Sequence, residues 1–296
     1  MVHQYRISAT QKNTAAVIDL MDFQVQQVFF SRHLKPICGD YVTLSRDQDD
    51  YRIAEILPRD NVFSRADSQG RKQHLAANVD QILIIVAVSP EPTRDIINRY
   101  LVAAELNHIE PILVFNKIDL KSDFFINSAH SYRQLGYRVY LTSIKEADSI
   151  RPLQQELIGK TTLLAGQSGV GKSSLSNQLF PGLDLKTGEL AKKTGKGAHT
   201  TSVTQLYYDA SQNAFLIDSP GVWEYGLWRL SAIEIAAGFR EFQNFLGACK
   251  FSNCSHSHEP NCAVIQAVAD GRISEKRYQS FIRICESMKY WHTTDY

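Results

Sequence analysis

The chain has 296 residues, 44% of them hydrophobic, with 32 basic against 31 acidic side chains. That length holds two or three domains with real cores. A net charge of +1 excludes a globally basic nucleic-acid binder, although local basic patches stay open.

The opening segment, Met1 to Met21, is polar and mixed, with no basic stretch followed by an apolar run. No secretory signal is expected. From about Tyr5 to Ala76 the chain reads as short strands. Val17-Ile18, Val25 to Phe30, Tyr41 to Leu44 and Ile53 to Leu57 are apolar or β-branched runs, separated by turn residues such as Gly39-Asp40. This spacing predicts a small all-β barrel over 1–76, with a β-sandwich as the alternative.

Asn78 to about Trp223 changes character, and apolar strands alternate with amphipathic helices. This is the α/β signature, and it predicts a second domain over 77–223. Gln81 to Ser89 suits a buried parallel strand, and Ile82 to Val88 within it is far too short to cross a bilayer. Arg94 to Leu106 has helical spacing, and Pro111 to Phe115 and Tyr137 to Thr142 are further strands. Thr161 to Ala165 leads into a glycine-rich loop, and Lys172 to Phe180 follows as a helix stopped by Pro181-Gly182. Beyond Glu224 the pattern predicts a helical third domain, 224–296, around a cysteine-rich insertion. Its helices are expected over Ile233 to Phe245 and Ser274 to Tyr290.

Gly166-Gln167-Ser168-Gly169-Val170-Gly171-Lys172-Ser173 has every defining position of a phosphate-binding loop. Glycines let the backbone turn its N–H groups around phosphates, and the following helix start favours the anion. Lys172 is expected on the β- and γ-phosphates, Ser173 on magnesium, and Ser174 beside it. Asn116-Lys117-Ile118-Asp119 ends a strand and reads the base. A carboxylate at Asp119 can accept two hydrogen bonds from guanine, whereas adenine would leave it desolvated and unpaired. Ser143, within Thr142-Ser143-Ile144-Lys145, is a weaker candidate for a second base-contacting loop. Asp218-Ser219-Pro220-Gly221 follows the strand Ala214 to Ile217, with Leu206 to Tyr208 as the strand paired to it. Asp218 would hold magnesium through water, and the Gly221 N–H would sense the γ-phosphate. Either Thr200 or Thr201 would be the switch ligand for magnesium.

The order of these motifs is inverted. Asn-Lys-x-Asp usually follows the phosphate loop, and here it precedes it. An open α/β sheet tolerates this, because ligand loops gather at the carboxyl ends of strands whatever their sequence order. The glutamine that orients water in many GTPases is also replaced, by Val222. His199 is the candidate to take its place, with a surface-loop histidine as the alternative.

Five cysteines, an odd number, without an export signal point to a reducing compartment, the cytoplasm. Cys249, Cys254, His256 and Cys262 form a dense thiolate and imidazole set suited to tetrahedral structural zinc. His258 is the alternative to His256, and Cys38 and Cys285 read as core residues.

Together these residues resemble one family, the circularly permuted, ribosome-small-subunit-dependent GTPases called RsgA or YjeQ. The matching pieces span nearly the whole chain. They are Ala76 to Gln81, Arg99-Tyr100-Leu101, Asn116 to Leu120, Gly166 to Ser174, His199-Thr200-Thr201, Asp218 to Gly221, Cys249-Lys250-Phe251, Cys254, His256, Glu259-Pro260 and Cys262-Ala263-Val264. The resemblance implies an N-terminal OB-fold, a permuted P-loop GTPase core and a C-terminal zinc domain. It implies a late maturation factor of the small ribosomal subunit that contacts ribosomal RNA and is stimulated by that subunit. Ala198 departs from the basic residue usual before His-Thr-Thr. The rival expectations are a GTPase switch of another class and an RNA-binding module with nucleotide as a structural ligand. No membrane partner is expected, and nothing demands more than a monomer.

Overall fold

The computed structural model describes residues 3–47, 50–181, 183, 203–219 and 226–289. Five strands close an N-terminal barrel: β1 (Tyr5–Gln11), β2 (Thr14–Asp19), β3 (Val25–Phe29), β4 (Tyr41–Asp47) and β5 (Asp50–Ile56), in the order β1-β2-β3-β5-β4. Side chains on a strand alternate between faces, and Ile7, Ala15, Val17, Val28, Val42 and Ile53 converge on the barrel interior. The barrel expectation therefore holds over the sandwich. The hairpin β6 (Val62–Ala66) and β7 (Lys72–Ala77) was not foreseen as a separate piece; it forms its own two-stranded sheet and joins Cys38 through a bridge at Ala76.

The α/β region builds one six-stranded sheet in the order β10-β9-β8-β11-β13-β12. Its strands are β8 (Gln81–Ala87), β9 (Glu110–Asn116), β10 (Arg138–Thr142), β11 (Thr161–Ala165), β12 (Gln205–Asp209) and β13 (Ala214–Asp218). All neighbours are parallel except β12 and β13. The expected strand at Leu206 to Tyr208 thus pairs as read. β8 is buried at all seven positions, as a strand covered on both faces must be. Ile82, Ile84 and Val86 face α1 (Ile96–Leu106) and α2 (Asp123–Gln134), while Leu83, Ile85 and Ala87 face α3 (Ala147–Gln155) and α4 (Lys172–Leu179). Each such side chain contributes about 1.5–3 kcal/mol on burial, which makes β8 the natural centre of the sheet.

The chain steps outward from β8 through β9 to β10, then returns to lay β11 on the other side of β8. The reversal between β8 and β11 is the point where open α/β sheets bind ligands. Among the described residues, no helix is long and apolar enough to cross a membrane.

The C-terminal helices are α5 (Ala232–Ala237), α6 (Ala263–Ala269) and α7 (Glu275–Lys289). The single helix expected over Ile233 to Phe245 is broken. α5 ends at Gly238, which lies hard against Val102 of α1, and the chain re-forms as a short 3₁₀ turn over Arg240–Phe242. The close approach to α1 decides this. It needs glycine, which also weakens a helix. Phe239, Phe242, Phe281 and Ile284 then join the core on the α1 side of the sheet.

One buried cation ties the barrel to the sheet. Arg6 is 1% exposed. It donates to the Thr161 hydroxyl at 2.8 Å, the Asn78 carbonyl at 2.9 Å and the Gly39 carbonyl at 3.3 Å. Its guanidinium lies 4.5 Å from the centre of the Phe215 ring. Arg6→Met keeps much of the volume but strands those acceptors, so a loss of about 2–4 kcal/mol is expected. Urea unfolding checks it, and a midpoint equal to that of the unaltered protein would show that Arg6 does not hold the junction.

Candidate functional site

The site lies at the carboxyl ends of β8, β9, β10, β11 and β13, around the reversal. The phosphate-loop backbone takes conformations that only glycine accommodates. Gly166 has φ +144° and Gly171 φ +94°. A Cβ on Gly166 would fall 2.3 Å from the Ile85 carbonyl oxygen, and one on Gly171 would fall 2.6 Å from Nδ2 of Asn116. The loop is thus pressed between β8 and the Asn-Lys-x-Asp segment. Val170 is buried and packs into the α3–α4 side of the core. Gln167 is half-buried, and Ser168 and Gly169 form the exposed tip. Ser173 and Ser174 lie in the first turn of α4, whose helix begins at Lys172.

The two halves of the inverted signature meet directly. Asn116, only 2% exposed, donates through Nδ2 to the Val170 carbonyl at 2.9 Å and accepts from the Thr142 hydroxyl at 3.1 Å. The Lys117 ammonium donates to the Gly169 and Ser89 carbonyls, 2.7 Å each. Ile118 and Asp119 fall in a 3₁₀ turn, Ile118–Leu120. Asp119 accepts from the Ser143 hydroxyl at 2.8 Å and from the Lys145 ammonium at 2.6 Å. Those two contacts, Lys145 first, hold its carboxyl below the usual range. The structure thus brings Ser143, a weak candidate by pattern alone, into contact with Asp119. Lys145 was quoted only as part of that pattern and proves to be a direct partner of Asp119.

At the phosphate end, the Lys172 ammonium folds back on the Gly166 and Gln167 carbonyls, at 2.7 and 2.6 Å. Burial pulls it down to about 8, against the opposing pull of Asp218. Burial pushes the Asp218 carboxyl up, opposed by Lys172 and a backbone hydrogen bond at Ser219. A desolvated carboxyl beside a desolvated ammonium suits a place where phosphate and a divalent cation would supply the missing charge. His199, Thr200, Thr201 and Gly221 lie outside the described residues, as does Val222.

Two residues, one ahead of α1 and one within it, also reach the loop, and no nucleotide motif in the sequence pointed to them. The Thr93 N–H donates to Gln167 Oε1 at 3.0 Å, and the Gly166 backbone hydrogen bonds to the buried Tyr100 hydroxyl. Tyr100 was quoted only as part of the family resemblance. Neither residue belongs to a nucleotide motif, and contacts of this kind arise only when α1 packs across the loop.

The second candidate centre lies before α6. One ligand atom each from Cys249, Cys254, His256 and Cys262 falls within 4.8 Å of the others, and the four can hold a metal ion. Cys249 Sγ lies 3.8 Å from Cys262 Sγ, and His256 Nδ1 lies 3.5 and 3.4 Å from those two sulfurs. His256 is buried, whereas His258 is exposed and bonds to Ser257. The structure therefore brings the first of the two histidines to the cluster. The left-handed turn at His256, φ +59°, aims the ring inward. Glu259 fixes that turn by accepting from the Ser255, Ser257 and His258 N–H groups at 2.7, 3.1 and 3.2 Å. Burial and the neighbouring cysteines push the Cys254 thiol up to about 12, so the thiolate form needs a cation beside it. Cys38 is buried, as expected of a core residue, and Cys285 is half-buried against the core.

The family model for the RsgA GTPase matches residues 56–228. The protein "Small ribosomal subunit biogenesis GTPase RsgA" from Saccharophagus degradans is 42% identical over 261 residues, 85% of this chain and 76% of that protein. Among solved structures, YjeQ from Thermotoga maritima superposes with a TM-score of 0.77 at 28% identity, covering 97% of this chain and 98% of its own. YloQ, described as a circularly permuted GTPase, superposes with a TM-score of 0.73 at 26% identity over 98% and 96%. With the inverted order of motifs folded into one site, and with these relatives, the chain belongs to the RsgA GTPase family and is a GTP hydrolase.

Proposed function

We propose that this GTPase acts in late maturation of the small ribosomal subunit, binding ribosomal RNA, with hydrolysis stimulated by the subunit. The observation that carries the reading is the hydrogen bond from Asn116, in the segment expected to read guanine, to Val170 of the glycine-rich loop, in a chain 42% identical to a protein named for small-subunit biogenesis. The working division is a barrel over 1–76 that contacts RNA, a permuted GTPase domain over 77–223, and a metal-bearing helical domain over 224–296. The protein is read as a cytoplasmic monomer.

Asp119 would accept the guanine edge, with Ser143 and Lys145 orienting its carboxylate. The Gly166–Ser174 backbone and Lys172 would hold the phosphates. Ser173, Asp218 and one of Thr200 or Thr201 would hold magnesium, which when bound neutralises charge developing on the phosphates. Gly221 would sense the γ-phosphate. Val222 cannot orient water, and His199 is assigned that role.

The thiolate and imidazole set is read as a structural zinc site. Donors about 2.0–2.3 Å from a tetrahedral ion stand about 3.5–3.8 Å apart, close to the 3.4, 3.5 and 3.8 Å separations among Cys249, His256 and Cys262. Four protein donors leave no open position, so the ion would supply cohesion and not chemistry.

Three outcomes are expected. GTP turnover rises when purified small subunits are added, and His199→Ala lowers that stimulated rate about 10²-fold or more. A flat response to subunits would remove the ribosome assignment and leave the GTPase, while a normal rate in the variant would remove the histidine. Affinity for a fluorescent GDP is steady below about pH 8 and falls above it by up to about tenfold per pH unit. The sign follows because Lys172 loses its proton near 8 when no phosphate is bound, and phosphate binding restores it. An affinity that stays level to about pH 9.5 would rule out Lys172 as the titrating group. Elemental analysis finds one zinc per chain, and Cys254→Ser loses it and lowers the melting temperature. A variant that keeps its metal and its melting point would dismiss the site.

A further inference from the structure

Helix α1 is a shared wall between the phosphate loop and the C-terminal helices. On one side the segment leading into it leans on the phosphate loop through Ser89 and Thr93, and the helix itself does so through Tyr100. The Ser89 carbonyl shares the Lys117 ammonium with Gly169, the Thr93 N–H holds Gln167, and the Tyr100 hydroxyl meets the Gly166 backbone. On the other side the same helix is gripped by α7. Arg283 makes a two-pronged pair with Asp95, at 2.8 and 2.7 Å. Arg277 bonds to Asn98, is clamped by Glu241 at 2.6 and 3.1 Å, and stacks 4.4 Å from the Phe239 ring centre. Arg99 reaches the Ser287 hydroxyl at 3.3 Å.

Asp95 is the hinge point of this arrangement. It stands at the position before α1 in a left-handed conformation, φ 64°, with its carboxylate turned to Arg283 and not to the helix N–H groups, so it sets the direction in which the chain enters the helix. It lies two residues after Thr93 and five before Tyr100. Burial raises its carboxyl, but hydrogen bonds from Arg283 and Ser280 and the Arg283 charge outweigh that and hold it below the usual range. Its side chain is 9% exposed and that of Arg283 28%, a pair partly screened from water and fixed in geometry by both prongs.

We infer that Asp95 and Arg283 are positioning residues through which α7, and with it the metal-bearing unit, sets the phosphate loop by holding the Thr93 and Tyr100 contacts in register. The inference deepens the GTPase reading and rests on it. Coupling is reciprocal. A partner that shifts α7 changes nucleotide affinity, and nucleotide changes how firmly α7 is held.

The test uses the full chain with its metal. Asp95→Asn, Arg283→Gln, the double variant and Tyr100→Phe are compared for affinity toward fluorescent GDP and a non-hydrolysable GTP analogue. Each single change is expected to weaken binding about fivefold or more. The double variant is expected to be no worse than the weaker single, because both changes break one contact. Metal content and a single cooperative thermal transition serve as the structural control and are expected to persist in Asp95→Asn and Arg283→Gln, each with a similar, modest drop in melting temperature from loss of the one shared ion pair. Unaltered affinity in both, additive losses in the double variant, or losses accompanied by release of metal or loss of the cooperative transition would each overturn the coupling. Failure of the unaltered protein to bind guanine nucleotide at all would overturn the GTPase reading, and the coupling with it.

Discussion

The buried amide of Asn116 spans two loops that stand 54 positions apart in the chain, donating to the Val170 carbonyl while its oxygen accepts from Thr142. Both polar ends are therefore satisfied in a place where an unpaired amide would cost about 1–3 kcal/mol. The rest of the site hangs on this contact. It places the base-reading turn beside the phosphate loop. It also forbids a side chain at Gly171, since a Cβ there would meet the same amide. Lys117 repeats the arrangement one residue on, with its ammonium between Ser89 and Gly169. The contact needs β9 and β11 on either side of β8 and no particular chain order. For that reason a permuted chain builds an ordinary site.

The charges around this clamp follow one logic. Lys172 and Asp218 are both desolvated and each opposes the shift that burial imposes on the other. Asp119 is partly buried, and the Lys145 ammonium and the Ser143 hydroxyl hold its carboxyl below the usual range. The cysteine cluster is the same problem with the sign reversed, because buried sulfur donors favour the charged form only beside a cation. Arg6 solves it without a counter-ion, by spreading its charge over carbonyls, a hydroxyl and an aromatic face. The junctions between units are thus polar contacts seated in apolar surroundings, where geometry matters most.

Much of the fold was legible. β8 announced itself as an unbroken apolar run because it is covered on both faces, and Thr161–Ala165 was read to its ends because a glycine-rich loop follows it. Four of the five barrel strands were readable as apolar or β-branched runs between turn residues, while β1 (Tyr5–Gln11), with its mixed polar sequence, was not named. The pieces that escaped were short or locally ambiguous. The hairpin Val62–Ala66 with Lys72–Ala77 has no long apolar face, and α2, α3 and α6 carry mixed patterns. The break at Gly238 depends on how close α1 comes, which no local window contains. At the site, the phosphate loop and Asn-Lys-x-Asp were readable since their chemistry demands those residues at fixed spacing. Thr93 and Tyr100 meet the loop through a backbone N–H and a hydroxyl on a buried ring, neither of which has a nucleotide motif.

The amino-acid sequence by itself determined which ligand chemistry the chain carries. Glycines that allow a phosphate cradle, a carboxylate matched to guanine, and three thiols with an imidazole are properties of residue types at short spacing. Tertiary structure alone decided which of these groups meet. Packing about β8 brought Asn116 to Val170 and set α1 between the phosphate loop and α7. Those outcomes depend on contacts between residues far apart in the chain. Their geometry is fixed by how apolar faces bury against one another, and local sequence does not contain it.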